Sequence, residues 1–223
     1  MKTELHAHTS ESSPCSHVNA VQMIRMYKDC GYDALVITDH YSKWVMDKSK
    51  AGDKTSYEKY FLKGYETAAE YAKKIGFTVL LGAEVSLLES PNDYLLYGAD
   101  IDFFYKNPLL FNLTLKELYN LCVKNNILLI QAHPCRAYCT PSDAKLLDGA
   151  EVYNANIRHN NNNDDAFKWA ENNNLIMVSG SDFHEKEDLA LGGIITDIDF
   201  SNMTELIDIL RNGKYTLINY THG

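Results

Sequence analysis

Short apolar runs alternate with amphipathic stretches along this chain, and the alternation predicts strand followed by helix, many times over. Ala34–Thr38, Thr78–Leu81, Ile127–Ile130, Ala150–Tyr153 and Leu175–Val178 are the short, largely apolar runs expected of strands buried on both faces. Shorter runs begin at Leu5 and recur at Tyr94–Tyr97, Ile194-Ile195 and Tyr215–Ile218. Helical stretches separate them. Asn19 to Gly31 has a capping residue at its start and a glycine stop at its end. Tyr57 to Ile75, Thr114 to Lys124, Ala166 to Glu171 and Thr204 to Arg211 complete the set. Asp47 to Ser56 reads as a polar loop, and Asn160–Asn163 as a loop feature with no function of its own.

Roughly seven strand–helix units predict a parallel sheet, either closed into a (β/α) barrel or open and doubly wound. No linker or shift in composition divides the 223 residues, so a single domain over 1–223 is expected. Hydrophobic residues make up 45% and charged residues 23%, which supports a packed core rather than disorder. No apolar run reaches the about 18 residues of a membrane span, and Met1–His6 lacks a signal-peptide core, so a cytoplasmic protein is expected. Five cysteines form no CxxC pair and are read as free thiols. A net charge of −9 disfavours a phosphate backbone as partner, although bound divalent cations would offset part of it locally.

The chemistry is carried by where the metal-type residues fall. His6 and His8 end the first run, and Asp39 and His40 follow Leu35–Thr38. Glu84 follows Leu80-Leu81-Gly82-Ala83, and His133 follows Leu129-Ile130-Gln131-Ala132. Asn154 follows Val152-Tyr153, and Asp182 and His184 follow Val178–Ser181. In a closed parallel barrel these strand ends converge on one face. His6 and His8 share one side of a strand by their i, i+2 spacing, and Asp182 and His184 repeat it. Imidazoles and carboxylates in such a set suit Zn, Mn or Fe, and Glu84 is the natural bridge between two ions. Taken singly, an HxH pair, a histidine before a proline or an Asp-His after a strand is an ordinary strand-edge, turn or capping feature. Six of the eight histidines (His6, His8, His17, His40, His133, His184) nonetheless fall at strand ends or in early loops. His159 and His222 do not, and are read as surface residues.

At these positions the chain resembles the PHP (polymerase and histidinol phosphatase) superfamily. His6-Ala7-His8-Thr9, Thr38-Asp39-His40, Gly82-Ala83-Glu84-Val85, Ala132-His133-Pro134 and Gly180-Ser181-Asp182-Phe183-His184 carry the resemblance, in the family's order. It implies a distorted (β/α)7 TIM-like barrel and two to three divalent ions. His6, His8, Glu84 and Asp182 would hold the first ion, with Glu84 bridging to a second on His133. His40 and His184 would hold the third. Cys15-Ser16-His17 resembles the Cys-x-His of histidinol phosphatases, which makes His17 the remaining third-ion ligand. The chain departs from the family between Glu84 and His133. Many members have a further histidine there, where this chain reads Asn92-Asp93-Tyr94-Leu95-Leu96-Tyr97-Gly98. Asp93 is the first substitute and Asn92 the next; otherwise neither binds.

The resemblance implies a metal-dependent phosphoesterase. Its expected nucleophile is a metal-bridging hydroxide formed from a water of lowered pKa, with Glu84, Asp182 and His184 at the reacting centre. Arg136 and Arg158 are candidates to hold the phosphate, catalytic as well as substrate-binding, against the alternative of solvated surface charges. Lys43 and Asn154 are further substrate-binding candidates, and Asp39 is a candidate to orient a ligand. A small phosphorylated substrate is expected before a nucleotide or oligonucleotide phosphodiester, and no membrane partner is expected. Two other classes remain: a catalytically silent metal- or partner-binding PHP module, and an amidohydrolase-like barrel acting on C–N bonds. Loss of ligands would mark the first, and a bridging lysine the second.

Overall fold

The computed structural model describes residues 1–218. His222 therefore lies outside the described residues. The chain runs β1 (Lys2–Ala7), α1 (Ala20–Asp29), β2 (Ala34–Ile37), β3 (His40–Tyr41), α2 (Lys43–Ser49), α3 (Lys54–Ile75), β4 (Thr78–Ser86), β5 (Asp93–Tyr97) and α4 (Ile101–Lys106). It continues through α5 (Leu115–Lys124), β6 (Leu128–Gln131), β7 (Gly149–Asn154), α6 (Asn163–Asn172), β8 (Ile176–Gly180), β9 (Ile194–Ile195), α7 (Met203–Arg211) and β10 (Thr216–Leu217).

The strands form a barrel-shaped sheet in the order β10-β9-β1-β2-β4-β5-β6-β7-β8, with β3 beside β4. Just beyond β8, Phe183 bridges Ala7 in parallel, and the amides of His8 and Phe183 reach the carbonyls of Phe183 and His6 at 3.0 and 3.2 Å. That bridge all but closes the barrel between β1 and β8. The expected parallel sheet needs correction: β5 is antiparallel to both β4 and β6, and β9 is antiparallel to β1. Residues 87–92, joining β4 to β5, are too few for the crossover that a parallel neighbour demands.

Local chemistry explains the element ends. Asn19 caps α1 by accepting from the Gln22 amide, and Gly31, at φ 77°, turns the chain out. Thr114 and Glu117 form a reciprocal capping box on α5. The polar loop expected from Asp47 to Ser56 is shorter than that: Ser42 caps α2, which runs to Ser49, and Asp53 caps α3. The capping signals lay in Ser42 and Asp53, while the lysine-rich surface of α2 hid its helical period.

The apolar layers leave one end of the barrel polar. Leu5, Val36, Leu80, Leu95, Leu128, Ile130 and Val178 pack with Leu206, Ile207 and Leu210 of α7. A second layer joins α1 and α3 to β1 and β2 through Met23, Ile24, Leu35, Ile37 and Ala68. The strand C-termini are left facing one another, ringed by loops. Among the described residues, no helix is long and apolar enough to cross a membrane.

Candidate metal centre

Glu84 sits at the middle of the polar end, fully buried on β4. The β3–β4 register sets His40 directly against it. Its Oε1 lies 3.3 Å from His6 Nε2 and 3.1 Å from His133 Nε2, and its Oε2 lies 2.7 Å from His40 Nδ1 and 3.5 Å from His8 Nε2. One carboxylate thus meets four imidazoles delivered by three separate parts of the chain: the end of β1, β3 and the turn after β6. Asp182 Oδ1 closes the group, 3.5 Å from His6 Nε2, 3.4 Å from His8 Nε2 and 3.4 Å from His184 Nδ1.

Three ligand groupings emerge: His6, His8 and Asp182; Glu84, Asp93 and His133; and His8, His40 and His184. In each, the donor atoms lie within 4.8 Å of one another. Two nitrogens on one tetrahedral ion, each at 2.0–2.1 Å, stand roughly 3.3 Å apart. The observed separations cluster near that value. The Nε2 atoms of His6 and His8 and Oε2 of Glu84 are buried without a hydrogen-bond partner. The close approach of His40 Nδ1 to that same Oε2 is therefore an electrostatic contact out of hydrogen-bond alignment. Buried polar atoms left unpaired are costly, so lone pairs converging on a common space fit divalent cations.

Electrostatics agree. Burial alone would raise Glu84 and Asp182, yet the surrounding imidazoles, His6 foremost, hold both well below the usual carboxylate range. Burial, with His40 and His184 alongside, pushes His8 well below the usual imidazole range and keeps it a neutral donor. Two residues of the candidate centre also sit on strained backbone. His133 and Asp182 have φ of 30° and 50°, the left-handed region that side chains avoid, and such outliers concentrate at functional sites.

A second layer orients these groups. His6 Nδ1 lies 2.8 Å from Glu151 Oε1, while Glu151 Oε2 accepts from the His133 amide at 3.0 Å and from Asn154 Nδ2 at 2.9 Å. Asp39 accepts from the Thr9 amide and hydroxyl and from Ser13 Oγ, each at 2.7 Å. Ser13 in turn meets His8 Nδ1 at 3.4 Å and the His40 amide at 3.0 Å. Asp39 therefore acts on His8 and His40 through Ser13. Glu4 ties β1 to the Asp182 segment: it accepts from the amides of Leu5, His6 and Ser181 and from the Ser181 and Tyr27 hydroxyls. Glu151 and Glu4 were not singled out in the sequence. Their signal was an acid inside an apolar strand run, Ala150-Glu151-Val152 and Thr3-Glu4-Leu5.

The other expected residues fall differently. Asp93 comes within 3.9 Å of His133 Nε2, whereas both ends of the Asn92 amide are taken by Thr140. His17 is not with His40 and His184. Its side chain is 67% exposed and pairs with Glu185 at 3.1 Å, while its amide is tied to the His184 carbonyl at 2.9 Å. The residue facing His40 and His184 is Cys15, read from sequence as a plain free thiol. Burial raises this thiol, but hydrogen bonds with His184 and His40 prevail and bring it down to about 6.

Lys43 pairs with Asp47 one helical turn along α2 and lines not this cleft but a neighbouring one that shares His40 and Asp93 with it. Arg136 is 6% exposed, and its Nη2 donates to Asp182 Oδ2 at 2.6 Å and to Asn154 Oδ1 at 3.1 Å, while its Nε donates to Asn161 Oδ1 at 2.8 Å. Arg158 lies at the cleft wall and forms two hydrogen bonds with Asp188, at 2.8 and 2.7 Å. Asn154 is spent on Glu151, Asp182 and Arg136. The asparagine run is not idle. Asn161 is buried, holds Arg136, and donates to the carbonyls of Asn154 and Asn156. The cleft itself has a volume of about 290 Å³, and Tyr138 and His159, the latter expected only on the surface, stand at its wall.

Similar folds bear on this geometry. A two-domain protein from Bacteroides vulgatus, containing a predicted PHP-like metal-dependent phosphoesterase, superposes with a TM-score of 0.71 at 16% identity, covering 99% of this chain and 65% of that one. PsfC from Pseudomonas syringae gives 0.69 at 15%, covering 98% and 91%. A lesion-specific endonuclease from Pyrococcus furiosus gives 0.60 at 13%, covering 97% and 57%. This chain thus spans under two thirds of the first and third of these. No curated protein matches the sequence. The PHP domain profile matches residues 4–188, a span holding every imidazole and carboxylate of the centre, and the chain belongs to the PHP domain family.

Proposed function

We propose that this chain is a metal-dependent phosphoesterase acting on a small phosphate monoester. The observation that carries the reading is Glu84, whose two oxygens face His6 and His133 on one side and His8 and His40 on the other. His6, His8, Glu84 and Asp182 would hold one ion, and Glu84, His133 and Asp93 a second. Zn, Mn or Fe suits this donor set, and such ions supply an activated water and neutralise charge on the phosphoryl oxygens.

The chain's own residues set the rest. Glu151 fixes the His6 ring so that Nε2 faces the centre. Arg136 and Asn154 hold Asp182 by its Oδ2, leaving Oδ1 toward the histidines. Both residues thus position a ligand, a different role from the phosphate contact their sequence places suggested. Arg136 and Arg158 both line the cleft, and Arg158, held by Asp188 and the more exposed of the two, is the group best placed to meet a substrate phosphate. A cleft of about 290 Å³ suits a phosphorylated small molecule. The net charge of −9 supports a small substrate over a nucleic acid.

A second reading is a phosphodiesterase on nucleotides or oligonucleotides. It is favoured by the lesion-specific endonuclease among the similar structures. The test is hydrolysis of p-nitrophenyl phosphate, its bis-ester, a panel of phosphorylated metabolites and duplex DNA with an abasic site, with Mn, Zn or Fe added. Monoester turnover that is lost in His8→Ala and Glu84→Gln is expected. Preference for the bis-ester or the DNA would establish the second reading. Bound metal with no turnover of any ester would leave a binding module.

A further inference from the structure

We propose that Cys15 is a thiolate ligand of a third ion, completing with His40 and His184 a set that selects zinc or ferrous iron over manganese or magnesium. The inference rests on the metal-dependent reading above and adds to it a residue and a metal preference.

Three observations converge on the space between His40 and His184. Their Nε2 atoms lie 3.4 Å apart. The Nδ1 of His184 is turned to the Asp182 carbonyl at 2.9 Å, and the Nδ1 of His40 to Glu84 Oε2 at 2.7 Å. With both Nδ1 atoms turned toward oxygens, the two Nε2 atoms face each other across one space, at a separation that two nitrogen donors to one ion would have. Third, the fully buried His8 ring, whose Nε2 faces Glu84 and Asp182, packs against both, its centroid 4.2 Å from that of His40 and 4.3 Å from that of His184. These three histidines form one of the chain's ligand groupings.

Cys15 lies at the wall of the same cleft as His40 and His184, and those two rings are what draw its thiol down. The loop that carries it is stapled in place. Ser16 Oγ donates to the carbonyls of His8 and His184 at 3.0 and 3.3 Å, and the His17 amide donates to the His184 carbonyl at 2.9 Å. Cys15 is thereby fixed at the strand ends, while His17 is directed outward. Imidazoles bring no charge to a divalent ion, and the thiolate supplies it. On binding, the thiol proton leaves to solvent and sulfur takes its place on the ion. Thiolate donors favour zinc and iron, whereas all-oxygen sets favour manganese and magnesium. Cys139 is a different case. Its Sγ stands 3.9 Å from His133 Nδ1, on the side of that ring away from Glu84.

The test loads the full chain with cobalt(II) and reads the near-ultraviolet thiolate-to-cobalt charge-transfer band, with Cys15 alkylation by iodoacetamide mapped by mass spectrometry. The band is expected in the wild type and in Cys139→Ser, and is expected to be lost in Cys15→Ser. Cys15→His is expected to keep the ion, by elemental analysis, without the band. Bound metal should slow Cys15 alkylation by about tenfold or more, since the free thiolate is the reacting species. A wild type without the band, a band that survives Cys15→Ser, or alkylation at the metal-free rate would overturn the assignment. If cobalt still binds in any of those cases, the metal-dependent reading stands and only Cys15 falls. If no cobalt binds at all, both fall.

Discussion

Glu151 grips the His6 ring from behind, Oε1 to Nδ1 at 2.8 Å, and leaves Nε2 pointing at Glu84 and Asp182. The pair spans 145 positions of sequence and joins β1 to β7. The carboxylate fixes the tautomer and makes the metal-facing nitrogen more basic. Glu151→Gln is therefore expected to weaken divalent-metal affinity by about 10–100-fold. Competition against a chromogenic chelator measures this. An unchanged affinity would show that Glu151 serves only the fold.

Arg136 and Asp182 form a buried ion pair at 2.6 Å. Arg136→Met removes the guanidinium from buried Asp182 and leaves it to Asn154 and the histidines, which is expected to cost the metal-free protein up to about 3–5 kcal/mol. At this chain length that is a fall in Tm of roughly 6–20 °C. Bound metal should return part of it. If the metal-free Tm is unchanged and only KM for a phosphate ester rises, Arg136 is a substrate contact instead.

Gly64 on α3 backs the centre from outside. A Cβ there would lie 2.0 Å from Thr9 Oγ1 and 2.5 Å from Asp39 Oδ2, inside the hydrogen bond that holds Asp39. Gly64→Ala is expected to destabilise the chain by about 1–3 kcal/mol and to lower metal affinity with it. Urea unfolding, with and without metal, reads both. A variant that binds metal as the wild type does would separate the Thr9–Asp39 lock from the centre.

Burial raises the Glu58 carboxyl from 4.5 to about 7, against the opposing hydrogen bond from the Tyr41 hydroxyl at 2.6 Å. Between those pH values the folded chain holds a proton here that the unfolded chain has released. Stability from this group is present at low pH and is lost as pH rises through the window. Glu58→Gln keeps an acceptor for Tyr41 and removes the titration. Relative to the wild type it should gain, between pH 4.5 and 7.5, up to about 3 kcal/mol. A stability difference flat across that range would contradict the shift.

Most of the barrel, and the convergence of His6, His8, Glu84, His133 and Asp182 at its mouth, were legible in the sequence because both are written in local pattern. Apolar runs such as Leu35–Thr38 mark buried strands, and the polar residue after each run marks the open end of the barrel. What was not legible depends on the third dimension. The reversal of β5 is set by the short 87–92 connection and its pairing partners. Arg136 sits where a phosphate ligand should sit, yet Asp182, the carboxylate that pairs with it, is 46 positions away. His17 and Cys15 differ by two positions, and only the stapling of Ser16 to His8 and His184 decides which one faces inward.

Anomalous diffraction from crystals of the manganese- or zinc-loaded protein tests the account most directly. Peaks are expected within coordinating distance of His6 Nε2, His8 Nε2, Asp182 Oδ1 and a bridging Glu84, with a neighbouring peak at His133. An ordered, metal-saturated crystal without a peak among those atoms would contradict a metal-dependent centre at the barrel mouth.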